Sequence, residues 1–144
     1  MKKTLVRFIG GAVMVCGALL GSSTNVHAQP ASLFIYADTV SGPARQMVGP
    51  QVIHVINQGG ADATGVVVTI MPPKGAKVDT AGCQEDHLPG GFRSYTCLVG
   101  ALPAGQKVDI TFSISMNKSG TADIGVDAAC DQGDYGALLS ITIF

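Results

Sequence analysis

Residues 107–116 alternate polar and apolar side chains over ten positions without a break. Val108, Ile110, Phe112, Ile114 and Met116 stand between Lys107, Asp109, Thr111, Ser113 and Ser115. In an extended backbone successive side chains point to opposite faces, so this order puts the apolar groups on one side and the polar groups on the other. On a helix the same five apolar residues would be scattered around the axis. The segment therefore reads as a strand with one buried face. Such a strand needs neighbours in its own sheet and a second layer to cover it.

Further extended segments supply those neighbours. Residues 33–36 are short and aromatic-rich. Residues 51–56 hold Val52, Ile53, Val55 and Ile56 and stop at Asn57-Gln58-Gly59-Gly60, a turn signal. Residues 65–71 are β-branched and end at Pro72-Pro73, which cannot continue a central ladder. Residues 94–99 follow the Gly90-Gly91 turn, and 121–129 and 138–143 complete the set. No window of a dozen residues carries a helical stripe. With 19 Gly and no Trp, seven strands separated by Gly and Pro predict an all-β antiparallel sandwich. Val108, Ile110, Phe112, Ile114, Val67 and Val55 are its expected core.

The first 28 residues read differently. Lys2, Lys3 and Arg7 precede an apolar run from Phe8 to Leu20, and Val26-His27-Ala28 ends in the small residue that signal peptidase requires. Residues 1–28 are thus an expected secretory signal, with Cys16 removed along with it, and residues 29–144 a single domain. The apolar run is short for a bilayer span, and no second run of about 18 apolar residues follows, so no membrane anchor is expected. The 116 residues after position 28 carry six basic side chains against ten acidic ones, a net charge of −4. No basic stripe offers itself to nucleic acid, and no cationic face to anionic lipid.

Export leads to an oxidising compartment, periplasmic or extracellular, where thiols pair. Cys83, Cys97 and Cys130 lie beyond the signal. A Cys83–Cys97 bridge closes a loop of 15 residues and contributes roughly 3 kcal/mol in the chain-entropy picture. Cys130 is left over, either as a buried small hydrophobe or as a thiol that pairs between chains.

The run from Val55 to Ala129 resembles the bacterial cell-surface repeat family often called DUF11, whose members are immunoglobulin-like β-sandwiches. Asn57-Gln58-Gly59 followed by Ala63-Thr64-Gly65-Val66-Val67-Val68-Thr69 is similar to that family's turn and β-branched strand. Pro73-Lys74-Gly75 stands at its Pro-x-Gly turn, and residues 95–105, from Tyr95-Thr96-Cys97 to Pro103-Ala104-Gly105, resemble its cysteine-bearing strand and following turn. The resemblance covers about two-thirds of the chain beyond the signal. It implies an immunoglobulin-like sandwich of about seven strands and a place at the cell surface. Its motifs are turn and strand chemistry, so they imply no activity. The family occurs as tandem copies, whereas one copy is present here, and this favours a free-standing monomeric domain or an assembling subunit over a stalk.

Candidate chemistry is sparse. Cys83, His87 and His54 suggest copper, but no Met follows at ligand distance and Cys97 competes for Cys83. Asp127, Asp131 and Asp134 suggest Ca²⁺, but their spacing is not the EF-hand pattern. Glu85-Asp86 are adjacent carboxylates on an expected loop, which does not make them converge. There is no Gly-x-Ser-x-Gly elbow, and the glycine pairs lack the Lys and helix of a phosphate cradle. The chain is therefore expected to be no enzyme, to hold no metal or cofactor, and to act as a binding or structural module at the cell envelope. Its partner would be another envelope protein or the chain itself. The alternative is a self-assembling, pilus-like subunit that exchanges a terminal strand, since Leu139, Ile141 and Ile143 alternate with Ser140 and Thr142 up to Phe144; the third reading is a small copper- or calcium-binding periplasmic protein.

Overall fold

The computed structural model describes residues 29–144. The expected signal, residues 1–28 with Cys16, lies outside the described residues. The alternating segment is a strand, β8 (Lys107–Ser115), in the middle of a four-stranded sheet. Its neighbours there are β1 (Leu33–Ala37), β3 (Val48–Asn57) and the three-residue β5 (Lys77–Asp79), in the order β1-β3-β8-β5. Facing it is a six-stranded sheet built from β2 (Val40–Gly42), β4 (Ala63–Met71), β6 (Cys83–Leu88), β7 (Phe92–Leu102), β9 (Gly120–Cys130) and β10 (Gly133–Ile143), in the order β2-β10-β9-β4-β7-β6. All ladders are antiparallel except β2 on β10. The architecture is an immunoglobulin-like β-sandwich.

Ile110, Phe112 and Ile114 of β8 are buried, and they meet Ile53 and Val55 of β3 and, across the interlayer space, Val66, Val68, Ile70, Ile124, Val126 and Ile141. Val108 lies half-buried at the edge of this core. Val67 does not join it. In the run Val66-Val67-Val68 the sequence offers no parity, and the structure turns the first and third valine inward and the middle one outward.

Ten strands form where seven are expected. The additional ones are β2, β5 and β6. The first two have three residues each, too few to show a period. β6 is hidden for another reason. Cys83-Gln84-Glu85-Asp86-His87-Leu88 is almost wholly polar and its side chains are largely exposed, so no apolar alternation marks it. The expected loop there is an edge strand, paired along its whole length with β7 from Cys83↔Cys97 to Leu88↔Phe92. β10 also begins earlier than expected, at Gly133 instead of Leu138.

Asn57 ties one end of the sandwich together. It is fully buried. Its Oδ1 accepts from the backbone N–H of Ser32 and of Gly59, and its Nδ2 donates to the carbonyls of Ala61 and Leu102. Its main chain bonds Gln106 and Gly105 in the β7–β8 turn. A Cβ at Gly59 would collide with the carbonyl of Pro30, so the glycine of this turn is required by close approach of the backbone. At the other end β10 is held on both sides: Phe144 N–H donates to Gly42 and Ala44 N–H to Phe144. Exchange of this terminal strand would have to break both.

Candidate functional site

The outer face of the four-stranded sheet carries the side chains with the most chemistry to offer. Leu33-Phe34-Ile35-Tyr36 is apolar throughout, and pairing with β3 buries Leu33 and Ile35. Phe34 and Tyr36 must then face outward, where they are 49% and 41% exposed. Their ring centroids are 5.8 Å apart. Register places Tyr36 opposite His54 on β3, and His54 opposite Asp109 on β8. One rung across three strands therefore reads Tyr36–His54–Asp109. The imidazole stacks on Tyr36 with centroids 4.6 Å apart, and its Nδ1 lies 2.7 Å from Asp109 Oδ1. Lys107, from the next rung, places its Nζ 3.3 Å from Asp109 Oδ2 and 3.4 Å from His54 Nδ1. The hydrogen bond from His54, joined by Lys107, holds the Asp109 carboxyl below the usual carboxylate range.

This makes a flat surface with two open aromatic rings at one end and a fixed cluster of a base, an acid and an imidazole at the other. An open groove of about 400 Å³ adjoins it beside the part of β8 that β5 does not cover, lined by the Cys83–Cys97 bridge, Val99, Val108 and Thr111, and shares Asp109 with the surface. Among the described residues no hydroxyl or thiol is hydrogen-bonded to His54; its hydrogen-bond partners are Asp109 and Lys107. The arrangement can stack and hydrogen-bond.

The residues weighed for other chemistry stand apart. Cys83 is bonded to Cys97, with their Cα atoms 4.2 Å apart. That spacing belongs to a directly opposed, non-hydrogen-bonded antiparallel pair. His87 is exposed on β6 near Glu85, on the other sheet from His54. Glu85 takes hydrogen bonds from Arg93 at 2.9 Å and from the Tyr95 hydroxyl at 3.1 Å, while Asp86 points the other way along the strand, opposite Ser94. Asp127 lies in mid-strand on β9. Asp131, in the β9–β10 turn, accepts from the Thr64 hydroxyl at 2.8 Å, and Asp134 is the second residue of β10. Among the described residues no group of three or more His, Cys, Asp or Glu is placed to hold a metal ion. Cys130 is half-buried and unpaired, with its Sγ 3.4 Å from the Gly133 carbonyl.

The sequence marks β1 as aromatic and β8 as polar on one face, but two features of the surface escape it. Four apolar residues in a row do not say which pair faces out. Nor does a sequence say that positions 36, 54 and 109 share a rung, because that depends on strand order and register.

No protein-family model matches the chain, and no curated protein matches it in sequence. Among solved structures the chain is similar to the CARDB domain of a Pyrococcus furiosus protein, solved in complex with di-metal ions. The TM-score is 0.50 at 13% identity, over 82% of this chain and 90% of that one. The likeness is one of fold. Weaker similarities are to the secreted serine protease VesC from Vibrio cholerae (TM-score 0.49, 11% identity, 86% of this chain and 24% of that one) and to a cohesin module of a Clostridium perfringens glycoside hydrolase (TM-score 0.45, 8% identity, 83% and 100%). Among the described residues no helix is long and apolar enough to cross a membrane.

Proposed function

We propose that this chain is an exported, non-catalytic recognition module of the bacterial cell envelope and that it takes a saccharide on the outer face of its four-stranded sheet. One observation carries the reading: two exposed aromatic rings, Phe34 and Tyr36, run directly into a preformed polar cluster of His54, Asp109 and Lys107. A pyranose has apolar C–H faces that stack on such rings, and hydroxyls that exchange hydrogen bonds with such a cluster. The Cys83–Cys97 bridge and the signal-like residues 1–28 support export, and the resemblance to DUF11 cell-surface repeats supports a place at the envelope.

The test uses protein expressed from its full sequence and recovered from the exported fraction. It is sedimented with purified peptidoglycan sacculi and with a panel of insoluble polysaccharides, beside the double variant Phe34→Ala/Tyr36→Ala. The native protein is expected to pellet with at least one of these, and the variant to stay in the supernatant with its fold intact by circular dichroism. Equal pelleting of both proteins would remove the aromatic surface from the reading; no pelleting of either would remove the saccharide.

A further inference from the structure

Four connections meet at the end of the sandwich opposite Asn57: β2–β3 (residues 43–47), β4–β5 (72–76), β6–β7 (89–91) and β8–β9 (116–119). Arg45, Lys74 and Lys118 lie in them, and Lys77 opens β5 directly after one. These are four of the six bases in residues 29–144, and all four are exposed. None of the ten acidic side chains lies in these connections. Asp62 and Asp131 stand in connections at the other end.

The two remaining bases are paired, Arg93 with Glu85 and Lys107 with Asp109. Arg45, Lys74, Lys77 and Lys118 have no side-chain carboxylate within ion-pair distance among the described residues. Their charge is uncompensated within the fold, and a carboxylate on Phe144 would offset only one of them. In the sequence these bases are scattered between positions 45 and 118. The expectation of no cationic face falls here, because the strand order gathers connections that are remote in the chain. In a domain of net charge −4, a positive end turns the molecule toward a negative surface.

Apolar side chains share this end. Met47 is 50% exposed, Phe92 46% and Phe144 72%, and Leu88 is paired with Phe92 beside the β6–β7 turn. Lys74 links the two kinds of group, with its Nζ 5.7 Å from the centroid of the Phe92 ring. Between Lys74 and Lys118 is an open hollow of about 270 Å³, its lining completed by Gly75, Ala76, Met116 and Asn117. Two cations and no acid line it. A charged polymer asks only for the bases. Bases set among exposed apolar groups match a bilayer, whose surface holds phosphate above hydrocarbon.

We infer that this end of the sandwich docks on a bilayer carrying anionic phospholipid. Arg45, Lys74, Lys77 and Lys118 meet the headgroup phosphates, Met47 and Phe92 enter the interface between them, and the hollow between Lys74 and Lys118 takes one phosphate. The rung Tyr36–His54–Asp109 lies toward the other end of β3 and β8, so the surface proposed for saccharide stays open on the docked molecule.

Protein expressed from its full sequence and recovered from the exported fraction is sedimented with vesicles of phosphatidylcholine mixed with phosphatidylglycerol, and with vesicles of phosphatidylcholine alone. It is expected to pellet with the first and not with the second, and to be released as salt is raised. Lys74→Gln/Lys118→Gln is expected to lower the partition coefficient by roughly tenfold to thirtyfold, at about fivefold for each charge. Met47→Ser/Phe92→Ser keeps every charge and is expected to lower it by roughly threefold to tenfold. Phe34→Ala/Tyr36→Ala should bind vesicles as the native protein does, so this reading and the saccharide reading fail separately. Each variant's thermal midpoint reports that its fold is kept. No binding to the mixed vesicles, equal binding to both kinds, or undiminished binding by Lys74→Gln/Lys118→Gln would overturn the proposal. Undiminished binding by Met47→Ser/Phe92→Ser would overturn it too, since any polyanion would give that result.

Discussion

Asn57 takes part in more of the fold than any other polar side chain described, because its amide satisfies two N–H groups and two carbonyls that three separate segments bring to one buried point. Replacing it by Ala leaves those groups without partners, at a cost of about 2–4 kcal/mol. Urea denaturation should therefore show a lower midpoint at unchanged slope, and an unshifted midpoint would mean that water replaces the amide without loss. The sequence marks Asn57 as the start of a turn; it does not reveal that the side chain faces inward. Asp109 is a different case, exposed and paired. Its folded pKa lies below the ordinary carboxylate value of about 3.9. Its pairing therefore stabilises the fold above that value, and the contribution is lost as pH falls through the lower, folded one. Followed by NMR, the Asp109 carboxyl should titrate below the ordinary range and move up towards it in His54→Ala. If the substitution leaves the midpoint where it was, the imidazole is not the cause.

At the scale of the element, β6 shows how a strand forms without an apolar pattern. Its side chains are largely exposed, so burial supplies almost nothing. It rests on the ladder with β7, on the Arg93 and Tyr95 contacts to Glu85, and on the bridge from Cys83 to Cys97. The bridge closes a loop with a sequence separation of 14, worth roughly 3 kcal/mol. Without it, in Cys83→Ser/Cys97→Ser, amides of β6 should lose protection from hydrogen exchange well before those of β8 and β9. Uniform loss across the molecule would show instead that β6 is not a separately opening unit. Denatured, unreduced protein from the exported fraction, with residues 1–28 removed, should titrate one thiol, Cys130. The contrast with β8 is instructive, because there strict alternation makes strand, face and core residues legible together. In β4 the three valines make the strand legible but not its face, and Val67 lies on the outside.

For the whole molecule, local patterning determined the class of fold. Period-two segments punctuated by Gly and Pro can bury their apolar sides only as layered sheets, and every strand expected from the sequence is present. Cysteine spacing likewise named the pair that two adjacent antiparallel strands bring together. Strand order and register are another matter, because they are set by contacts between residues far apart in the chain. Tyr36, His54 and Asp109 become one rung only after β1, β3 and β8 lie side by side. The outer edge of β10 is covered only at its C-terminal end, because β2 has three residues there. Hydrophobic alternation is a property of the chain and can be read from it. A surface assembled from three strands, or an edge left uncovered, is a property of how the layers close and belongs to the tertiary structure alone.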